Sequence, residues 1–336
     1  MNSLVCTKPG QLDYHELAVP RRRAGHTLLK IRQVGICGTD IHAFEGTQPF
    51  FDYPRILGHE IAAEVAETDA PGFSVGDAVT VIPYFSCGAC VACRRGKPNC
   101  CAAIAVCGVH VDGAMAEYFV VPDRALIQGR GLTADQLALV EPFAIGAHGV
   151  RRAGVGPGEY VLVVGAGPIG LGTMTFARIA GAEVIALDVN PNRLAFCRSA
   201  LGVSHTLNAL EGDVREALET LTHGDMPTVV IDCTGSLRAI NQSFEYLAHG
   251  ARYVLIGLQK GDITVNHPAF HKREATLMSS RNATRADFDQ VLACMDEHLI
   301  DPASYITHRI PFEKVGRDFP QLLRPESDVI KAMVTL

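Results

Sequence analysis

The sequence predicts an α/β protein in which a doubly wound parallel sheet is joined to a second, β-rich domain. Three observations lead there. Between residues 160 and 280, strand-like apolar runs alternate with helix-like stretches, as a parallel sheet with crossover helices requires. The first of these runs is followed by the glycine-rich turn Gly165-Ala166-Gly167-Pro168-Ile169-Gly170. Residues 1–140 instead carry short strand-like runs at 27–34, 60–66, 78–82 and 116–121, broken by turns such as Pro71-Gly72 and Val75-Gly76-Asp77.

The parallel sheet begins with the β-branched run 161–164, turns through the glycines into a helical pattern, and regains an apolar run at 184–187. Each glycine has its own reason. Gly165 allows the tight turn, Gly167 lets backbone approach a pyrophosphate, and Gly170 lets helix and strand pack closely. The helix start that follows offers free N–H groups to phosphates. Asp188, at the end of the second strand, is placed to bond the hydroxyls of an adenosine ribose. A 2′-phosphate there would be repelled, so NAD is expected rather than NADP. Arg193, in the first turn of the next helix, is a ribose neighbour at most, although an arginine near this point can hold a phosphate. The expected cofactor contacts are Gly165, Gly167, Pro168, Ile169, Gly170, Asp188 and Arg193.

Beyond this unit the pattern predicts helices at 191–200 and 213–221, a strand at 228–232, a helix at 237–247 and a strand at 251–257. A last helix at 285–298 and a strand at 329–334 do not extend the nucleotide sheet, so the C-terminal segment is expected to fold back onto the first domain. Around residues 141–157 the texture changes, with Gly146, Gly149, Gly154, Gly156 and Pro157 leading into the glycine-rich turn; a domain boundary is expected there.

With 336 residues, 48% hydrophobic and 20% charged, the chain reads as an ordinary globular protein with room for two cores. A net charge of −6 gives no support for a nucleic-acid partner. The N-terminus lacks the apolar core of a signal peptide and no run of 18 apolar residues occurs, so a cytoplasmic protein without membrane contact is expected. Eleven cysteines in that setting point to thiols and metal ligands before disulfides.

Four of them, Cys87, Cys90, Cys93 and Cys101, lie within fifteen residues. Four thiolates on one short loop suit a closed tetrahedral zinc site, which has no open position and does no chemistry. Cys100 competes for the fourth place, and Cys107 reads as a buried thiol. A second set is dispersed: Cys37 in ICGTD, His59 and Glu60 in LGHE, and Glu141 in VEPF. Singly, each has an ordinary reading as a core thiol, a satisfied histidine or a solvated acid. Together they offer the mixed ligands of a catalytic zinc that keeps a place for substrate.

The motifs ICGTD-x-H, GHE, CxxCxxC-x7-C and GAGPIG, in this order and across essentially the whole chain, resemble the zinc-dependent medium-chain dehydrogenase/reductase family, which includes alcohol, sorbitol and threonine dehydrogenases. The resemblance implies a GroES-like catalytic domain at 1–144 and 283–336 and a Rossmann NAD-binding domain at 145–282. It implies two zinc ions per chain, one of them catalytic and held by Cys37 and His59. Glu60 and Glu141 occupy the positions of the two acids of the sorbitol dehydrogenase branch, where one binds the metal and the other its water. Simple alcohol dehydrogenases have cysteine where Glu141 stands. A homo-oligomer, dimer or tetramer, is expected.

A narrower resemblance rests on GTQPFFDYPRILGHE, GVHVDGAMAEY and FHKREATLMSSRNAT, which look like the bacterial hexonate 5-dehydrogenases. It implies NAD-dependent oxidation of a C5 hydroxyl, with L-gulonate to D-fructuronate taken first. L-galactonate to D-tagaturonate is the alternative, followed by a neutral polyol such as sorbitol, or threonine. In the family's mechanism the carbinol hydride passes to nicotinamide, while the proton leaves through Thr39 and His42; Glu60 belongs to the catalytic group. Asp40 is expected to orient a ligand or fix the turn. A sugar acid also needs a partner for its carboxylate. Arg281 is the first candidate, Asn282 and His110 are expected at hydroxyls, and Lys272 and Arg273 stand behind them. The rival of another class is a non-catalytic NAD-binding or redox-sensing protein.

Overall fold

The computed structural model describes residues 1–336, the side chain of Pro325 excepted. Two compact units are formed, Met1–Glu141 with Thr284–Leu336, and Pro142–Ala283.

The first unit opens with β1 (Asn2–Lys8), β2 (Gln11–Glu16) and β3 (His26–Ile36), followed by α1 (Gly38–Glu45), β4 (Arg55–Ile56), β5 (Glu60–Glu67), β6 (Ala78–Val81) and β7 (Tyr84–Phe85). Then come α2 (Val91–Arg94), β8 (Ala105–Val106), β9 (Tyr118–Pro122), β10 (Leu126–Gln128) and α3 (Ala134–Ala153). The long strand β3 is central because its apolar residues Leu29, Ile31, Val34 and Ile36 are all buried. Antiparallel to it run β5 on one side and, along its first half, β9. The core beneath is built from Leu57, Ile61, Val79, Val81, Met115 and their neighbours.

The second unit contains β11 (Tyr160–Val164), α4 (Pro168–Ile179), β12 (Glu183–Asp188), α5 (Pro191–Leu201), β13 (His205–Asn208), α6 (Val214–Leu221) and β14 (Val229–Asp232). It is completed by α7 (Leu237–Ser243), β15 (Arg252–Leu255), α8 (His267–Lys272) and β16 (Thr276–Ser279). Its six strands lie in the order β13-β12-β11-β14-β15-β16, and every pair is parallel. The chain therefore leaves β11 in one direction and returns to its other side with β14. This reversal opens a crevice at the carboxyl ends of β11 and β14, where open α/β sheets take ligands. Side chains of Asn190 and Asp213 cap α5 and α6 by accepting N–H bonds from the first turn.

After Ala283 the chain returns to the first unit through α9 (Arg285–Asp296), β17 (Ile306–Pro311), α10 (Val315–Asp318) and β18 (Lys331–Thr335). There β18 pairs with β3, and β17 extends the sheet beyond it.

Two elements differ from the sequence expectation. The stretch 237–247 is a shorter helix, α7, followed by a 3-10 turn at Phe244–Tyr246. The glycine-bearing stretch after Glu141, read from sequence only as the place of a domain boundary, is helical: α3 runs through it as a 20-residue helix with Pro142 inside, and the division between the two units falls between Glu141 and Pro142. Its Gly146 is a packing glycine, since an added Cβ would come within 2.6 Å of the Thr173 backbone N.

Candidate metal centres and dinucleotide site

The glycine-rich turn divides its work among the three glycines. Gly165 has φ +99°, and a Cβ there would meet the Thr234 methyl at 2.7 Å. Gly170 packs so closely that a Cβ would collide with the Gly165 carbonyl oxygen. A Cβ on Gly167 would meet nothing, so the turn leaves open space where a pyrophosphate would lie. Gly167 caps α4, and Pro168 and Ile169 form its first turn, which directs N–H groups into that space. Asp188 ends β12 with its carboxylate held by N–H donors, Ala166 N at 2.6 Å and Asn190 N at 2.8 Å. These bonds aim the carboxylate and leave lone pairs for ribose hydroxyls. Arg193 is half-buried in the first turn of α5, its backbone N bonded to Asn190. The cradle fits a dinucleotide.

The thiol loop is equally compact. Donor atoms of Cys87, Cys90, Cys93 and Cys101 lie within 4.8 Å of one another, and all four are free of disulfides. The loop is wound so that backbone N–H groups face sulfur: Cys87 N bonds Cys101 Sγ at 3.2 Å, and Ala102 N bonds Cys90 Sγ at 3.4 Å. The N–H groups of Ala102 and Cys93 pull the Cys90 thiol down to about 6, which favours the thiolate that zinc binds. Cys101 takes the fourth place. Cys100 is exposed and Cys107 is buried, both outside the cluster.

The dispersed set is assembled by the sheet. Cys37 caps α1 where β3 ends, His59 precedes β5, and Glu60 opens it opposite Gly35. Donors of Cys37, His59 and Glu60 fall within 4.8 Å of one another. Asp40, fully buried, ties the two segments together: one carboxylate oxygen accepts Cys37 N at 2.9 Å, the other Gly58 N at 3.0 Å. It thus both orients a ligand and fixes the turn. Glu141 is buried in α3 outside that three-residue set, and accepts the Tyr84 hydroxyl.

Burial raises Glu141 to about 7, against the opposing pull of His59. Burial alone would lower the His59 pKa, but Cys37, Asp40 and Glu141 hold it well above its ordinary value. The field is therefore that of a cation site. Nδ1 of His59 is buried with no hydrogen-bond partner among the described residues, which leaves the imidazole short of one interaction. A thiol, an imidazole and carboxylates in this setting fit zinc.

Two residues that sequence reasoning passed over complete this centre. Lys331, buried at the start of β18, bonds both oxygens of Glu60 at 2.7 Å. Gly35 makes room for the same carboxylate, because a Cβ there would collide with Glu60 Oε2. A glycine inside a strand is a signal of such close approach. Lys331 offered only the weaker signal of one charge at the head of an apolar tail.

Thr39 and His42 stand three residues apart on α1, Thr39 half-buried and His42 exposed, with His42 Nδ1 at 3.0 Å from Thr47 Oγ1. Spacing of this kind puts both on one face of the helix. His110 belongs to the first unit, where its Nδ1 accepts Val106 N at 3.3 Å and its ring stacks on Phe50. Arg281 and Asn282 belong to the second unit and follow β16, Arg281 exposed and Asn282 in a left-handed conformation with φ 52°. Lys272 is exposed. Arg273 is committed to the scaffold through the carbonyls of Leu247 and Ala269. No helix among the described residues is long and apolar enough to cross a membrane.

Known proteins match the chain over its whole length. Residues 23–130 match the alcohol dehydrogenase GroES-like domain, and residues 168–297 match the zinc-binding dehydrogenase family. The chain is 42% identical over 337 residues to L-galactonate-5-dehydrogenase of Escherichia coli K12, covering 100% of this chain and 99% of the relative. It is 30% identical to 2-dehydro-3-deoxy-L-galactonate 5-dehydrogenase of Pseudoalteromonas atlantica, over 89% of each chain. Among solved structures, an alcohol dehydrogenase from E. coli CFT073 complexed with NADH superposes with a TM-score of 0.93 at 30% identity, over 100% of this chain and 99% of the other. With two matched domains and whole-length relatives, the chain belongs to the zinc-dependent medium-chain alcohol dehydrogenase family and is an oxidoreductase built from a GroES-like and a Rossmann unit.

Proposed function

We propose that this protein oxidises the C5 hydroxyl of a six-carbon sugar acid, L-galactonate to D-tagaturonate, with NAD as acceptor. The observation that carries the substrate is the 42% identity over the full length to L-galactonate-5-dehydrogenase. It favours the galacto epimer over L-gulonate, the first expectation from sequence, and the second galactonate-type relative supports the same direction. NAD over NADP is supported by the fixed carboxylate of Asp188, which would face a 2′-phosphate.

When bound, zinc supplies a Lewis acid for the substrate hydroxyl and nicotinamide accepts the hydride. The chain's own residues do the rest. Cys37 and His59, with Glu60 or Glu141, hold the metal, while Cys87, Cys90, Cys93 and Cys101 hold the second ion. Thr39 and His42 carry the departing proton along the exposed face of α1. Arg281 binds the substrate carboxylate, with Asn282 and His110 at hydroxyls. A remote anchor of this kind selects which carbon is presented for oxidation, so its loss lowers kcat as well as raising KM.

The test is a substrate screen followed at the NADH absorbance. L-galactonate is expected to give the highest kcat/KM with NAD, L-gulonate less, and sorbitol and L-threonine far less. A preference for L-gulonate would restore that epimer, and equal rates on sorbitol would remove the need for a carboxylate. Arg281→Ala is expected to reduce kcat/KM for the acid about tenfold more than for sorbitol. Equal loss on both would assign Arg281 to cofactor or scaffold.

A further inference from the structure

The crevice at the carboxyl ends of β11 and β14 has two walls, and the glycine-rich turn is only one of them. The other is loop 233–236, which leaves β14 and leads into α7. Cys233 N bonds the Val164 carbonyl at 2.8 Å, so the loop starts against the end of β11. Its shape is then imposed by Asp232, the last residue of β14, which is fully buried. One carboxylate oxygen accepts Thr234 N at 3.2 Å and Gly235 N at 3.0 Å. The other accepts the Thr234 hydroxyl at 2.8 Å. That hydroxyl in turn accepts Ser236 N at 2.9 Å.

Two further observations connect this loop to the glycine-rich turn. The Thr234 methyl lies 2.7 Å from where a Cβ on Gly165 would be, so the side chain that Asp232 holds is packed on the first motif glycine. The Asp232 carbonyl also accepts Ile256 N at 2.9 Å and Gly257 N at 3.1 Å, and a Cβ on Gly257 would collide with Gly235 N. One residue thus bonds the loops that follow β14 and β15, and through Thr234 it sets the distance between loop 233–236 and Gly165. A displacement of Thr234 is transmitted directly to the turn that receives the pyrophosphate, because protein interiors are too closely packed to absorb it.

We propose that Asp232 is a positioning residue for the dinucleotide: through Thr234 it fixes the glycine-rich turn and makes loop 233–236 the second wall of the cofactor crevice. This rests on the reading of that crevice as a dinucleotide site. Asp232 itself need not touch the cofactor.

The experiment is a fluorescence titration of the purified full chain with NADH, alongside thermal unfolding, zinc content, and KM for NAD and for hexonate. Asp232→Ala is expected to weaken NADH binding about tenfold or more, since it leaves two backbone N–H groups and a hydroxyl without their acceptor. Asp232→Asn is expected to stay within about threefold of the parent, because an amide oxygen still accepts both N–H bonds. Thr234→Val keeps the methyl that packs on Gly165 but replaces the hydroxyl with a second methyl, and is expected to weaken NADH binding by about fivefold. In Asp232→Ala and Thr234→Val, KM for NAD rises while KM for hexonate and zinc content hold, a split that general destabilisation does not produce. Asp232→Ala binding NADH as tightly as a binding-competent parent overturns the inference alone. If that variant fails to fold, Thr234→Val binding at the parent's affinity does the same. A parent that binds no NADH overturns the dinucleotide reading and this inference with it.

Discussion

The two candidate metal clusters of the first unit are built on opposite plans. Cys87, Cys90, Cys93 and Cys101 come from one short loop, carry one kind of donor, and are surrounded by that loop's own backbone N–H groups. Cys37, His59, Glu60 and Glu141 come from a helix cap, the start of a strand and a distant helix, and are set among buried charges from other elements. The first arrangement needs little tertiary structure to form and has no room for a substrate. The second exists only when the sheet is assembled, and mixed donors leave it chemically open. The loop cluster should therefore act mainly on stability and the dispersed one mainly on chemistry.

The largest expected effect is on turnover. His59→Ala should lower kcat/KM on the order of a thousandfold or more and remove one zinc, with the thermal midpoint little changed. Zinc analysis, calorimetry and kinetics on the same sample check it. A variant that keeps both ions would break the assignment of His59.

Cys93→Ser tests the other side. It should remove the second ion and destabilise the fold by about 3–5 kcal/mol, with residual activity per folded molecule near that of the parent. Chemical unfolding and metal content decide the outcome. A single zinc retained in both variants would defeat the division into two centres.

Lys331→Met is the case that can break the contrast. Lys331 belongs to the chemical cluster, yet its removal strands the Glu60 carboxylate, which is fully buried beside it. Removing one partner of a buried pair costs about 3 kcal/mol or more, so this variant should resemble a stability mutant in denaturant titration. Lys331→Met combined with Glu60→Gln should recover much of that loss. If the single variant is as stable as the parent, Glu60 has another partner or is held protonated.

The smallest effect is expected from Tyr84→Phe. It removes one hydrogen bond to Glu141, worth about 1 kcal/mol, and frees that carboxylate to turn. The visible absorption spectrum of the cobalt-substituted protein should shift while the unfolding midpoint moves little. An unchanged spectrum would show that Glu141 does not respond to Tyr84.

How legible each part was follows the same contrast. The thiol loop and the turn at 165–170 could be read directly, because their chemistry depends on spacing along the chain. Even there a competitor stood beside the expected fourth thiol, and the fold groups Cys101 with the other sulfurs and leaves Cys100 exposed. Helix α3 was illegible for the opposite reason. Gly146 and Gly149 marked only a change of texture along the chain, whereas in the fold they are small because a Cβ would collide with the Thr173 backbone and the Ile256 side chain.

What the sequence by itself determined is the set of local devices: a four-thiol loop, a glycine turn with Asp188, alternating elements for a parallel sheet, and the Cys37, His59 and acid motifs whose combination marks the family. Only the tertiary structure decided which charges those motifs face. Strand β18, from the far end of the chain, brings Lys331 to Glu60; β3 contributes Gly35 as the space for that carboxylate; and the short strand β7 brings Tyr84 to Glu141. These pairings join residues up to 271 positions apart. No local period or spacing encodes them, because the cost of burying a charge is met only by whichever partner the folded sheet places within reach.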